Sequence, residues 1–243
     1  MKKILTLVLA LAMVSYLPAQ NLKGMLKKAE KKAKEVTDGG GLSQEEIGNG
    51  LKEALDKGVG EAVSFLSAED GYLKSPYKIL IPKDAQKIIK RVKAVPGFGD
   101  VDKQLTEKLN RAAELAAKKA KPIFISAIKE MSFKDAMNIL MGDKNAATSY
   151  LDKSTRAKLF KEFMPVIQNS LDEVNARTYW SSVVKAHNKL PLVKKANPEL
   201  DEYVNNKALD GMFQLVEKKE LDIRENKGAR TSDLLDKVFS KQD

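Results

Sequence analysis

The chain has 243 residues, a formal net charge of +10 from 43 basic and 33 acidic side chains, and no cysteine. The missing thiols exclude disulfide staples, thiolate metal sites, a cysteine nucleophile and a thiol-anchored lipoprotein. A single histidine, His187, excludes zinc sites built from several histidines.

Residues 1–20 read as a secretory signal peptide. Lys2 and Lys3 form a positive start, Ile4 to Leu17 is an apolar run broken only by Thr6 and Ser15, and Pro18-Ala19-Gln20 supplies a cleavage region. About 14 residues at about 1.5 Å rise give about 21 Å, short of a hydrocarbon core of roughly 30 Å, so the run reads as an export signal and not a span. Without the two lysines, 41 basic residues face 33 acidic ones, about +8. For an exported protein, that excess points to an envelope protein, a cell-wall polymer or an anionic lipid surface as partner, and away from nucleic acid. Lysine-rich helices also serve simply to keep a surface solvated.

Residues 22 to 36, LKGMLKKAEKKAKEV, put Leu22, Met25, Leu26, Ala29, Ala33 and Val36 on one narrow helical stripe among lysines. So thin and Ala-rich a stripe reads first as a solvated helix. A basic amphipathic helix on an anionic membrane surface is the second reading. Gly39-Gly40-Gly41 then breaks the chain. The expected organisation is a signal peptide over 1–20, a basic amphipathic helix and Gly linker over 21–41, and a single all-helical domain over 42–243.

In that domain Ser43 and Glu46 have capping-box spacing and open a helix carrying Ile47, Leu51, Ala54 and Leu55, with Gly58 and Gly60 as interruptions. GYLKSPYKILIPK, 71 to 83, is bounded by Pro76 and Pro82, and its Ile79-Leu80-Ile81 reads as a short strand or a loop clamped on the core. A basic helix over 84 to 94 stops at Pro96-Gly97. A long helix from Asp100 or Val101 to Met131 is expected to kink at Pro122. Ser132 with Asp135 caps a short helix ending at Gly142. One further helix runs from Asp143 or Asn145 through Tyr150, and another spans 154 to 175 around Pro165.

Tyr179, Trp180, Val183 and Val184 share the next helix. Asn197-Pro198 is a start signal for a helix reaching about Asn226. Its apolar residues, from Leu200 to Ile223, cover about 220° of arc, so this helix is central. Gly211 within that arc implies the close approach of another helix. Thr231 or Ser232 caps a last helix holding Leu234, Leu235, Val238 and Phe239. The fold class is all-α, a compact multi-helix bundle with one short extended segment near 77–82.

No G-x-S-x-G accompanies His187, which reads as a surface or helix-end residue. No P-loop and no EF-hand spacing occur, and Gly97-Phe98-Gly99 lacks the rest of a dinucleotide fingerprint. No cofactor and no metal are therefore expected, and a binding protein is favoured over an enzyme. Two polar groups remain. Asn110, Arg111 and Glu114 stand among alanines on one helix, and Asp210, Glu217 and Arg224 form a heptad-spaced line on the central one, with Arg230 able to fold back. They read as ion pairs that fix helix register, the first group being a joint between two long helices. The functional alternatives are a charged-ligand site, or an envelope hydrolase using a carboxylate pair drawn from Glu114, Asp210 and Glu217.

Eight blocks in order carry a resemblance: GLKEALDKGVGEAVSFL, YKILIP, LNRAAE, KPIFISAIKEMSFKDAMNIL, AATSYL, the F-M-P-V at 163 to 166, KALDGMF and ARTSDLLDKVF. Over about 42 to 240 the chain resembles the exported bacterial proteins grouped as domain of unknown function 4197. The resemblance implies an all-helical fold and export, and no reaction, cofactor or substrate. The recurrent polar positions it implies are Asn110, Arg111, Glu114, Asp135, Asp210, Arg224 and Arg230.

Overall fold

The computed structural model describes residues 43–240 except 95, 174 and 197–199. The expected signal peptide, basic helix and Gly linker, and the Asn197-Pro198 start signal lie outside the described residues. The chain divides between residues 44 and 45 into two units, and the second holds the helical fold. Among the described residues there are nine α-helices and no strand.

Helix α1 (Gln44–Ser67) buries Ile47, Leu51, Ala54, Leu55, Val59, Ala62, Val63 and Leu66, an i, i+3, i+4 stripe that fixes which side faces the core. It runs straight through Gly58 and Gly60, which the sequence marks as interruptions. Gly58 belongs to the buried stripe and faces Lys219 and Ile223, so it is a packing position.

Turns over 68–77 and an unpaired extended run to Pro82 follow. Ile79 and Ile81 point inward and Leu80 outward, the alternation of a strand without a sheet. The expected strand-or-loop segment is thus a clamped loop. Gly71 sits where this loop doubles back on α1: a Cβ there would lie 2.2 Å from the Phe65 carbonyl oxygen.

Helix α2 (Lys83–Val92) is basic, as its sequence predicts. The long kinked helix expected over 100–131 is instead two, α3 (Val101–Ala117) and α4 (Ala120–Glu130), separated at Lys118-Lys119. Pro122 is the third residue of α4. There the missing N–H would have had no i−4 partner within α4, so proline follows the break and starts a new helix instead of bending an old one.

Helix α5 (Phe133–Leu140) opens with the Ser132–Asp135 capping box. The two helices expected next are one, α6 (Ala146–Glu173), 28 residues long with Pro165 inside it. Helix α7 (Ala176–Asn188), helix α8 (Asp201–Glu225), a 3₁₀ turn (Lys227–Ala229) and helix α9 (Asp233–Phe239) complete the fold. Ser232 caps α9 by accepting from the Leu235 N–H.

Helix α6 is the hub. It packs against α3, α4, α5, α7 and α8, and its largest interface is with α8. Leu151, Leu159, Phe163 and Ile167 of α6 meet a core that includes the fully buried Phe124 and Met212. Phe124 and Phe213 pack edge to face with centroids 5.7 Å apart.

Gly211 of α8 does mark a close approach, but of the loop and not of a helix. A Cβ there would lie 3.1 Å from the Tyr72 ring and 3.2 Å from the Tyr77 Cβ. Both aromatic rings come from the turn region, which explains why helix pairing alone does not anticipate the contact.

Gly71→Ala should force the loop backbone away from α1 and cost about 2 kcal/mol. In a thermal melt followed by circular dichroism the Tm should fall by about 4 to 8 °C.

Candidate functional site

Helix α3 presents Asn110, Arg111 and Glu114 toward the 68–82 loop. The Asn110 amide behaves as a strand partner: its Oδ1 accepts from the Ile79 N–H at 2.8 Å and its Nδ2 donates to the Ile79 carbonyl at 2.9 Å. Nδ2 also donates to the Thr106 carbonyl at 2.7 Å. One buried amide therefore satisfies both backbone groups of an isolated extended residue, as a ladder would.

Glu114 holds the other end of the loop. Its Oε1 accepts from the N–H groups of Tyr72 and Leu73, each at 3.2 Å, and Oε2 takes a 2.8 Å bond from Arg111. Arg111 reaches on to Asp70 at 2.9 Å. Asp70 adopts a left-handed φ of 66°, and its carboxyl is held below the ordinary range by Lys74 first and by Arg111.

Tyr72, fully buried, donates its hydroxyl to the Ala208 carbonyl of α8 at 2.7 Å. Burial pushes that phenol upward, and the Glu114 carboxylate adds to the shift. The joint expected between two long helices is therefore a joint between α3 and the loop, carried to α8 by Tyr72.

The heptad-spaced line on α8 faces α6. Asp210 accepts from Arg156 at 3.0 Å and from Lys207 at 3.2 Å, while Arg156 also grips Asp152 and lies 4.9 Å over the Phe213 ring. Glu217 accepts from the Asn145 amide at 3.1 Å. Arg224 is deeper, and its partner is a residue the heptad line passes over, Glu220.

Glu220 sits at the start of α6. Its carboxylate accepts from the N–H groups of Ala147 at 2.9 Å and Thr148 at 2.8 Å, and from the Thr148 hydroxyl at 2.8 Å. Arg224 donates Nε to Glu220 at 3.0 Å and Nη2 to the Ile139 carbonyl near the end of α5 at 2.8 Å. Arg230 does fold back, donating to the Ile223 and Arg224 carbonyls at 3.1 and 2.8 Å. An anion thus meets a helix N-terminus, and cations meet two helix C-termini, the signs a helix dipole favours.

The structure does not gather all the predicted positions into one place. Asp135 is the capping carboxylate of α5, bonded to the Ser132 hydroxyl and N–H, and these bonds hold its pKa below the ordinary 3.8. His187 is at a helix end, as expected, but it is buried and bonds the Lys194 carbonyl at 3.1 Å. Sequence reading missed Asp70, Tyr72, Arg156 and Glu220. Glu220 was findable, standing four residues before Arg224.

Between α1, α8 and α9 and beside Glu220 and Arg224 lies an apolar cavity of about 20 Å³, space for about one water. An open groove of about 440 Å³ lies beside Arg111, lined by Gln104, Glu107, Lys108, Glu173 and Asn175. A second, of about 370 Å³, continues from it at Glu107. Among the described residues no cluster of three or more His, Asp or Glu is placed to hold a metal ion, and no helix is long and apolar enough to cross a membrane.

Fold and joints together define the class: an all-helical protein whose buried polar side chains hold helix ends and one loop. The chain belongs to the family described as protein of unknown function DUF4197, whose model matches residues 41–240. No curated protein and no solved structure matches it.

Three measurements follow from this geometry. Asn110→Ala strands both backbone groups of Ile79 and should cost about 2 to 4 kcal/mol in urea unfolding. Amide exchange should accelerate over 71–82 while protection of α9 stays unchanged. The Asp135 carboxyl contributes stability above the ordinary carboxylate range and loses it as pH falls through its lowered folded value. Ser132→Ala should bring its NMR-detected titration back toward 3.8.

Proposed function

We propose that the protein is an exported, non-enzymatic envelope-accessory protein that works by binding a partner through its outer surface. The observation that carries this reading is how the interior charges are used. Glu114, Glu220, Arg224 and Arg230 are all buried, and each is matched to backbone groups at a loop or helix end. The adjoining apolar cavity has only about 20 Å³ of room, whereas organic ligands occupy sites of roughly 300 Å³ and more. The N-terminal run over 1–20 supports export.

The hydrolase reading needs two carboxylates facing one cleft about 5 to 9.5 Å apart. Glu114 is turned to the loop, Asp210 to Arg156 and Glu217 to Asn145. Three different partners take the three carboxylates, which favours structure over acid–base work.

One observation favours a second reading. The groove beside Arg111 has polar walls and an open top, suited to an extended hydrophilic ligand such as a glycan strand or peptide. Glu107 and Lys108 are its natural first contacts.

Expression of the whole chain followed by cell fractionation tests the proposal. The exported fraction should hold a product whose intact mass lacks about the first 20 residues, and cross-linking in the intact envelope should join it to a partner. A cytoplasmic product keeping Lys2 and Lys3, or an exported one that stays bare after cross-linking, contradicts it.

A further inference from the structure

The net charge is not spread over the fold. Segments 83–99 and 174–198 together hold ten Lys and Arg and one acidic residue, Asp84, with Lys93 and Arg177 paired to Asp102 and Asp172 just outside them. These segments contain α2 and α7, which pack on each other. Lys83, Lys87, Lys90 and Arg91 of α2 are exposed, as are Lys185 and Lys189 at the end of α7 and Lys194 and Lys195 after it.

In the middle of the last four stands an apolar side chain. Leu192 is fully exposed and has a left-handed φ of 58°. A non-glycine residue there is strained, by about 1 kcal/mol or more for a leucine. Burial on the protein repays none of it.

The loop is nevertheless built. The Leu190 N–H donates to the His187 carbonyl at 3.0 Å, His187 Nε2 donates to the Lys194 carbonyl at 3.1 Å, and Asn188 accepts from the Ala196 N–H at 3.0 Å. Two side chains at the end of α7 therefore hold the far limb of the loop and keep its tip projected.

We infer that residues 189–195 form a membrane-contact tip, with Leu192 entering an anionic bilayer and the surrounding lysines resting on its headgroups. A leucine between lysines matches the layering of an anionic lipid interface, apolar below and negative above. A hydrated anionic polymer offers the lysines the same charge but offers Leu192 nothing, so lipid is the partner that accounts for both. The inference rests on the envelope reading only for where such lipid is met. It uses residues other than the basic stretch 22–36.

The test uses the full mature chain in a background with Lys27, Lys28, Lys31, Lys32 and Lys34 changed to Gln, which silences that stretch. Leu192→Trp places a reporter at the tip, and the native Trp180 is buried. With vesicles of phosphatidylglycerol in phosphatidylcholine, the reporter emission should shift to the blue and be quenched by lipids brominated in their acyl chains. Pure phosphatidylcholine should give neither change. Adding Lys189→Gln, Lys194→Gln and Lys195→Gln should weaken vesicle binding roughly 100-fold.

Leu192→Gly relieves the backbone strain, so it should fold at least as well while binding the same vesicles several-fold more weakly. Emission that anionic vesicles leave unmoved overturns the inference. So does binding to polyphosphate and to vesicles alike that is indifferent to residue 192, which marks a polyanion surface instead. Both tests use purified protein, so their failure leaves the fractionation result, and with it the export reading, untouched.

Discussion

Helix ends buried in a core are the constraint this fold has to meet. Each helix leaves N–H groups at its start and carbonyls at its finish, and a long helix such as α6 cannot start inside the bundle without an acceptor. Glu220 is that acceptor. Its carboxylate takes the second and third N–H groups of α6, those of Ala147 and Thr148, and Arg224 neutralises it and ties it to the last carbonyls of α5. Arg230 does the same for the end of α8, and its guanidinium lies 3.5 Å from Asp236 of α9. The four helices α5, α6, α8 and α9 are in this way joined by three side chains. Burying such charges is costly, and what offsets the cost is that donors and acceptors are matched with the sign each helix dipole requires.

A second device solves the same problem for a loop. The 68–82 segment lies on the core with no sheet to complete its hydrogen bonds, so Asn110 and Glu114 act as its partner strand. Tyr72 and Tyr77 then lie against Gly211, and Tyr72 reaches the Ala208 carbonyl, which ties the loop to α8 as well as α3. The outer side of this construction, at Leu73, Lys74 and Lys78, is a wall of the second open groove, which meets the groove beside Arg111 at Glu107. Interior chemistry and outer surface are thereby separated: the buried carboxylates hold backbone, and recognition is left to exposed residues.

The sequence makes the helical architecture legible because apolar residues repeat at helical spacing, and capping signals such as Ser132–Asp135 act over three residues. What depends on distant partners is less legible. The break at Lys118-Lys119 carries no proline or glycine of its own, so Pro122 attracts the prediction although it only begins α4. Tyr150 and Ser154 sit in one continuous helix because Ala147, Leu151, Thr155 and Leu159 carry one buried stripe through them. The Ser154 and Thr155 hydroxyls bond back to the Tyr150 and Leu151 carbonyls instead of capping a new helix. The polar positions Asn110, Glu114, Arg224 and Arg230 stand out as charges or amides in apolar surroundings, yet their partners are largely backbone atoms, which every residue has. A seven-residue step passes over Glu220, although a carboxylate four residues before an arginine is itself a helical pair.

The ion pair between Glu220 and Arg224 offers the most direct measurement. A double-mutant cycle with Glu220→Gln and Arg224→Met, read by urea unfolding, isolates the coupling between them. If the pair holds the ends of α5 and α6 together, each single change leaves a buried charge unmatched and costs about 3 kcal/mol or more. The double change should then cost about 2 kcal/mol less than the two singles added together. Single costs that simply add, to within about 0.5 kcal/mol, would contradict the claim that these charges are the joint on which the fold depends.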